Sequence, residues 1–387
     1  MARTLDFALS PQHEEIRRTV REFAEREIIP IADELERKGE FPHDIIRQAA
    51  ALGLLGVPYP EDVGGTGLDS LAYAITVEEL SRASGSIGII VSAHTSLGCN
   101  PLYLAGTPEQ KDRYLRPLAS GEVLGAYGLT EPGAGSDSRG TRTRARRDGD
   151  EWVLNGSKRF ITNAGVAGTY IVTAVTDREA DSGRISAFIV EADTPGFTIG
   201  RMEEKMGLHA SNTGELIFED CRIPAANLLG EEGEGDKLFL KTLDGGRIGI
   251  GAMALGLGQA AYEAASAYAK ERKQFDRPIA SFQGVAFKIA DMAVGIDAAR
   301  LLVYRAAWLK DCGKPYTTEA AMAKLFASEV ARQVTNDAIQ VHGGYGYVTE
   351  YHVERYLRDA KLTEIGEGTS EIQRLVIARN ILGVRAM

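Results

Sequence analysis

Val285-Ala-Phe-Lys-Ile-Ala-Asp-Met-Ala-Val-Gly-Ile-Asp-Ala-Ala-Arg-Leu-Leu-Val-Tyr-Arg-Ala306 places Val285, Ile289, Met292, Ile296, Ala299, Val303 and Ala306 at alternating steps of four and three. That spacing is helical, and so long an apolar seam fits packing against antiparallel neighbours in a bundle. Long helical patterns of this kind run from about Gly233 onward. Upstream, between about Gly125 and Leu229, the texture changes. Trp152-Val-Leu154, Tyr170-Ile-Val-Thr-Ala-Val175, Ile185-Ser-Ala-Phe-Ile-Val190 and Glu215-Leu-Ile-Phe218 are short β-prone runs separated by turn residues. From Ser10 to about Leu118 the pattern is helical again, with Ser10 as N-cap, Pro11 at the first helical position, and Ile16, Val20 and Phe23 along one stripe. Pro30, Pro58, Gly64-Gly65 and Pro108 divide this region into several helices. The expected fold is α+β and multidomain: an N-terminal α-helical domain (1–123), a middle β-barrel or sandwich domain (124–231) and a C-terminal four-helix bundle (232–387). No βαβ alternation signals a doubly wound sheet, and no internal repeat is visible.

With 387 residues, 44% hydrophobic and 25% charged, the chain reads as a soluble globular protein long enough for two or three domains. Its longest apolar runs, such as Ile248 to Leu257, are short and interrupted by glycine, so no membrane insertion is expected. The N-terminus lacks an apolar leader pattern, and a cytoplasmic location is the expectation. Cys99, Cys221 and Cys312 are far apart, without a CxxC pair, and read as buried small hydrophobes. The six histidines are scattered, so no metal site is expected. A net charge of −10 argues against nucleic acid as a partner.

Several glycine-rich stretches invite a nucleotide-binding reading. Gly256-Leu-Gly258-Gln-Ala-Ala261 matches a dinucleotide fingerprint by letter but lies inside a helical pattern, which favours close helix packing. Gly64-Gly65-Thr66-Gly67 reads as an interhelical turn in preference to a phosphate cradle. Gly128-Leu-Thr-Glu-Pro-Gly-Ala-Gly-Ser-Asp137 is more specific. It is either a strand followed by a glycine-rich turn, or a site where Gly133, Ala134 and Gly135 let the main chain approach a planar or phosphorylated ligand while Thr130 and Ser136 donate hydrogen bonds. Gln340-Val-His-Gly343-Gly344-Tyr-Gly346 is readable by itself as a helix C-cap and turn. In Ile365-Gly366-Glu367-Gly368-Thr369-Ser370, Thr369 or Ser370 can cap the helix carrying Ile372, Leu375 and Val376. Glu367 alone reads most simply as a carboxylate favoured by that helix dipole.

Taken together, in order along the whole chain, these stretches resemble the acyl-CoA dehydrogenase family. Thr130-Glu-Pro-Gly-Ala-Gly-Ser-Asp137 resembles its first signature, and Gln340-Val-His-Gly-Gly344 through Arg358-Asp359 its second. Glu271-Arg272-Lys273-Gln274-Phe275 and Ser281-Phe282-Gln283 resemble its flavin-contacting segment at a subunit interface. The resemblance implies FAD held between the β domain and the bundle. Tyr127, Leu129, Thr130, Gly135 and Ser136, with Phe160, Ile161 and Thr162, would line the flavin within one subunit. Arg272, Phe275, Gln283, Gln340, Gly343 and Gly344 would reach the adenosine and pyrophosphate from a neighbouring subunit, and Thr369 and Glu371 would complete the site. Ser136, Asp244, Arg247 and Gly368 would hold the CoA thioester. A homotetramer, built as a dimer of dimers, and an electron-transferring flavoprotein as electron acceptor are also implied.

The implied reaction makes Glu367 the catalytic base. It takes the α-proton of a saturated acyl-CoA while the β-hydride passes to flavin N5, giving a trans-2-enoyl-CoA. The developing enolate needs aimed donors, and in the family one is the backbone N–H of the base itself. Some relatives carry the base at the position of Gly246 and a small residue at 367; this chain has the reverse. Gly366 stands where short- and medium-chain relatives often have tyrosine, and Phe160 where the ring near the flavin is often tryptophan. Val91 to Ser96 is the expected pocket floor, and its modest polar residues lean toward short or branched acyl chains. Two other readings stand beside this one: an acyl-CoA oxidase, which usually carries a further C-terminal domain, and a catalytically silent CoA- or partner-binding helical protein.

Overall fold

The computed structural model describes residues 8–177 and 184–384. Ser10 caps the first helix, Pro11–Phe23, by accepting from His13 N, and the expected stripe turns inward with Val20 and Phe23 buried. The helices Ile29–Lys38, His43–Ala51 and Gly85–Ala93 complete a first apolar core with it. Ser70–Ala83 is buried nearly along its whole length, because it lies between this core and the C-terminal helices. The Gly64–Gly67 stretch is a turn whose N–H groups are spent internally. Gly65 N donates to Pro60 O, Thr66 N to Gly56 O and Gly67 N to Tyr59 O, so none is left for a phosphate.

Among the described residues the middle region forms eight strands: β1 (Gly125–Gly128), β2 (Arg144–Asp148), β3 (Glu151–Thr162), β4 (Thr169–Asp177), β5 (Arg184–Glu191), β6 (Phe197–Met202), β7 (Thr213–Pro224) and β8 (Leu228–Leu229). Their order is β6-β7-β3-β2-β4-β5-β8, with β1 added in parallel to β4. Among the described residues the path is open, so of the two forms expected for this domain the sheet is not the closed barrel. It folds over Trp152, Leu154, Tyr170, Phe188, Phe197 and Phe218. One charged pair is buried inside it: Lys158 Nζ lies 2.7 Å from Glu131 Oε1, and burial pulls its pKa down to about 8 against the attraction of that carboxylate. Glu131 also accepts from the N–H groups of Arg142 and Thr143. It thus ties the start of the glycine-rich turn to β2 and β3.

The sheet joins the helices at a contact that tolerates no side chain. Gly98 and Gly125 face each other so closely that a Cβ on either would press on the other's backbone. Beside them His94 accepts from Gly125 N through Nδ1 at 2.9 Å and donates from Nε2 to Leu118 O at 3.1 Å. Burial pushes this ring down to about 4, so it stays neutral and keeps both roles at physiological pH.

The C-terminal region is helical: Gly235–Glu271, Gln283–Asp311, Thr317–His342 and Val353–Thr363 pack together, and Ser370–Leu382 lies along Thr317–His342. The seam that starts at Val285 faces inward as expected, with Met292, Ile296, Ala299, Val303 and Ala306 buried. Gly256 lies within the first of these helices, where a Cβ would strike the backbone of Ser70–Ala83; its glycine serves close packing. Cys99 and Cys221 are buried as expected, whereas Cys312, at the end of a helix, is only partly so.

Removing Glu131 strands the Lys158 ammonium in the sheet. Glu131→Ala is expected to lose about 3–5 kcal/mol, read as a lower denaturant midpoint at unchanged slope. An unchanged midpoint would show that the pair contributes nothing.

Candidate active site

Glu367 sits in the turn before the Ser370–Leu382 helix, and its backbone is left-handed, at φ 54°. For a residue with a Cβ this costs about 1–2 kcal/mol, so the conformation persists only where neighbours enforce it. Two fully buried side chains do so. Lys324 Nζ donates to Gly368 O at 2.7 Å, and Gln373 Nε2 donates to the same oxygen at 2.8 Å and to Glu367 O at 3.3 Å. Thr369, of the two expected caps, is the one that caps the helix, accepting from Ile372 N at 3.4 Å.

The Glu367 side chain reaches the Gly235–Glu271 helix, where a methyl group on Gly246 would overlap its Oε2. The residue as a whole is half-buried, yet both carboxylate oxygens are shut off from water and, among the described residues, neither accepts a hydrogen bond. Burial pushes the carboxyl up to about 7, against the opposing pull of Lys324 and Arg247. The same effect lowers Lys324 to about 8 despite the attraction of Glu367. A carboxylate retained for structure is normally paired. One left unpaired, poised near neutrality and faced by two cations has the properties of a general base.

Arg247, one residue along the helix, is buried and donates to Asp244 Oδ1 at 2.6 Å, while Asp244 Oδ2 accepts from Thr317 Oγ1 at 2.6 Å. Among the described residues Arg247 Nε has no hydrogen-bond partner. The fold therefore gathers Asp244, Arg247, Glu367 and Gly368 from residues far apart in sequence. One turn beyond Gly246, Gly249 is pressed against the Tyr73 hydroxyl and Ser92 Oγ, which lie 3.1 Å apart. This brings the Val91–Ser96 segment to the same helix, where the pocket floor was expected.

The remaining predicted residues form two further groups. On the β domain, Tyr127 is in β1, Leu129 and Thr130 follow it, and Phe160, Ile161 and Thr162 end β3. Arg159 N donates to Thr130 O at 2.8 Å, which aligns the two stretches. Gly135 and Ser136 are exposed on a turn held by paired Glu131 and Ala134 backbones. Ser136 makes no hydrogen bond to Asp244, Arg247 or Gly368 among the described residues. Its loop nonetheless meets the same helix where Arg139 pairs with Asp236 at 2.9 Å. On the bundle, Arg272 lies over the Tyr345 ring, which sets the Arg272–Phe275 hairpin against the Gln340–Gly344 turn; Gln283 begins the next helix. Glu371 is exposed in the first turn of the last helix.

Both outer groups suit a large planar, phosphorylated cofactor. Phe160 is 62% exposed and Phe275 87%, each in a left-handed backbone that turns its ring outward. Gly133, Gly135, Gly343 and Gly344 face open space. Arg272 has no carboxylate partner among the described residues. Uncovered rings, approachable backbone and an unpaired guanidinium are what a flavin and its pyrophosphate require.

Sequence reasoning missed Lys324 and Gln373. Lys324 had a signal, since it is a lone charge in the run Ala320-Ala321-Met-Ala323-Lys324-Leu-Phe-Ala327, in phase with the buried Ala320, Ala327 and Ala331. Gln373 had one as well, since four residues after the capping Thr369 it stands near the place of a reciprocal cap, and its amide does reach back to the preceding turn, at Glu367 O and Gly368 O.

A helix–sheet–bundle fold that buries an unpaired carboxylate beside a cofactor-sized surface defines an acid–base enzyme. Family models match in the same order: the acyl-CoA dehydrogenase N-terminal domain over residues 10–122, the middle domain over 126–221 and the C-terminal domain over 233–382. The chain belongs to the acyl-CoA dehydrogenase family, whose members are flavin-dependent oxidoreductases. It is 53% identical to the short-chain specific acyl-CoA dehydrogenase of Clostridium acetobutylicum, over 97% of this chain and 100% of that one. The solved structure of butyryl-CoA dehydrogenase from Megasphaera elsdenii superposes with a TM-score of 0.96 at 47% identity, covering 98% of this chain and 100% of that one. A chain from the structural work on the electron transferring flavoprotein of Acidaminococcus fermentans does so at 0.96 and 50%, with the same coverage. Among the described residues no helix is long and apolar enough to cross a membrane.

Gly246→Ala is expected to displace the Glu367 carboxylate and to lower turnover about a hundredfold or more while leaving the fold intact; near-normal turnover would show the contact to be slack. A second expectation concerns stability. The raised carboxyl binds its proton more tightly in the folded chain, so its contribution is complete below the unfolded value near 4.5 and disappears as pH rises through about 7. Glu367→Gln does not titrate, so it should become more stable than the native chain by about 1–3 kcal/mol at pH 8. Urea unfolding should show that gap close at pH 5.

Proposed function

We propose that the chain oxidises a short, saturated acyl-CoA thioester to the trans-2-enoyl-CoA, with Glu367 as the base that removes the α-proton. The observation carrying this reading is the pair of buried Glu367 oxygens with no partner, set against Gly246 between Lys324 and Arg247. FAD, when bound, supplies the acceptor for the β-hydride. The chain supplies the rest. Tyr127, Leu129, Thr130, Gly135, Ser136, Phe160, Ile161 and Thr162 hold the flavin. Arg272, Phe275, Gln283, Gln340, Gly343 and Gly344 of a neighbouring subunit, with Thr369 and Glu371, hold its remainder.

Asp244 and Arg247, with Ser136 and Gly368, orient the thioester. The Glu367 N–H donates to its carbonyl oxygen, where negative charge grows as the α-proton leaves. Because the carboxylate is already out of water, little solvent must be expelled before it acts. Tyr73 and Ser92, closing the space one helical turn past Gly246, favour a short acyl chain. That agrees with the short-chain and butyryl specificities named for the relatives. A cofactor site completed by a neighbouring subunit requires at least a dimer, as in a homotetramer built of dimers, and the similarity to the Acidaminococcus chain supports an electron-transferring flavoprotein as acceptor; the proposed location is the cytoplasm. A silent binding protein would have no use for an unpaired buried acid that costs stability.

Glu367→Gln should keep its visible flavin absorbance and its affinity for CoA while losing dehydrogenation roughly a thousandfold. In the native enzyme kcat/KM should rise with pH through an apparent pKa near 7, as the base loses its proton. A panel of acyl-CoAs of increasing length, assayed with ferrocenium, should peak among the short chains. Near-normal turnover by Glu367→Gln would move the base elsewhere.

A further inference from the structure

We propose that Lys324 is a positioning residue for the base: through Gly368 it holds the turn that aims Glu367 at Gly246, and its charge sets the pH above which Glu367 is ready to accept a proton. This rests on Glu367 being the base. The geometry is specific. Lys324 projects from the Thr317–His342 helix, is wholly buried, and spends a hydrogen bond of 2.7 Å on the carbonyl next to Glu367. Gln373 grips the same carbonyl from the following helix, so a left-handed glutamate is clamped from two sides. A charged amine is an expensive means of holding one carbonyl, since a buried ammonium costs several kcal/mol unless it is compensated. A neutral amide, such as that of Gln373, would suffice for the bond alone.

What the amine adds is charge. Lys324 has no salt bridge within 4 Å among the described residues. Of the groups around it, Arg247 is a cation already engaged by Asp244, while Glu364 is bound to Arg332 and Lys361. Glu371 is exposed on the last helix, Tyr316 begins the Lys324 helix, and Tyr73 hydrogen-bonds to Ser92. Glu367 is therefore the buried carboxylate left to balance Lys324, and each stabilises the other's charged form. Without the Lys324 cation, burial is opposed only by Arg247, and the base loses its proton at higher pH.

The test uses the flavin-loaded enzyme and two variants. Lys324→Gln keeps a donor for Gly368 without the charge, and Lys324→Met removes both. The acid limb of kcat/KM for butyryl-CoA should move to higher pH by about one unit or more in both. At its high-pH plateau Lys324→Gln should stay within about tenfold of the native rate, whereas Lys324→Met falls further because the turn is released. An activity-free readout accompanies it: the pH at which the stability gain of Glu367→Gln over its parent levels off should rise by the same amount when both carry Lys324→Gln, and the gain at that plateau should grow. A limb and a levelling-off of the stability gain that stay at the native pH in the folded Gln variant would overturn the proposal while leaving the base intact. Failure of Glu367 as the base shows separately, as unimpaired turnover by Glu367→Gln in the native background.

Discussion

The contact of the Glu367 carboxylate with Gly246 is the constraint on which the site depends. A carboxylate held out of water without a hydrogen bond is unfavourable, and it survives here because one helix offers a bare backbone at that point and two cations stand close. Any side chain at 246 would take the space the carboxylate occupies. The two positions are complementary: an acid can stand at one only if the other is small. That physical exclusion explains why a glycine at 246 and a glutamate at 367 belong together.

The surrounding architecture serves this contact. Gly235–Glu271 carries Asp244, Gly246, Arg247 and Gly249 on neighbouring turns, so one rigid element holds the proposed substrate anchor, the seat of the proposed base and the proposed end of the pocket. Ser70–Ala83 packs against it and brings Tyr73. Thr317–His342 brings Lys324, and Ser370–Leu382 brings Gln373. The β domain is locked to the helices at Gly98 and Gly125, with a neutral His94 bridging the joint. The molecule retains strain and unpaired charge at Glu367, and buried apolar clusters elsewhere hold them in place.

Much of this was legible in the chain. Periodicity gave the inward seam from Val285 to Ala306, the capped first helix and the β-prone runs, because those signals are local and repeat at the pitch of the element they build. The glycine-rich stretches were legible as kinds of backbone, so Gly256 and Gly65 could be kept out of the nucleotide-binding set on context alone. Closure of the sheet was not legible. Each strand can be recognised from its own residues, but whether β6 meets β8 is settled by pairings between segments far apart in sequence.

The amino-acid order alone determined that a glutamate flanked by glycines precedes a capped helix, and that its neighbours along the chain match a family of flavin enzymes. By its local chemistry that glutamate was as well explained by a helix dipole. Only the tertiary structure decided otherwise. Burial, the approach of Gly246 and the convergence of Lys324, Arg247 and Gln373 come from packing between distant helices, and it is packing, through desolvation and uncompensated charge, that turns an ordinary carboxylate into one ready to accept a proton at neutral pH.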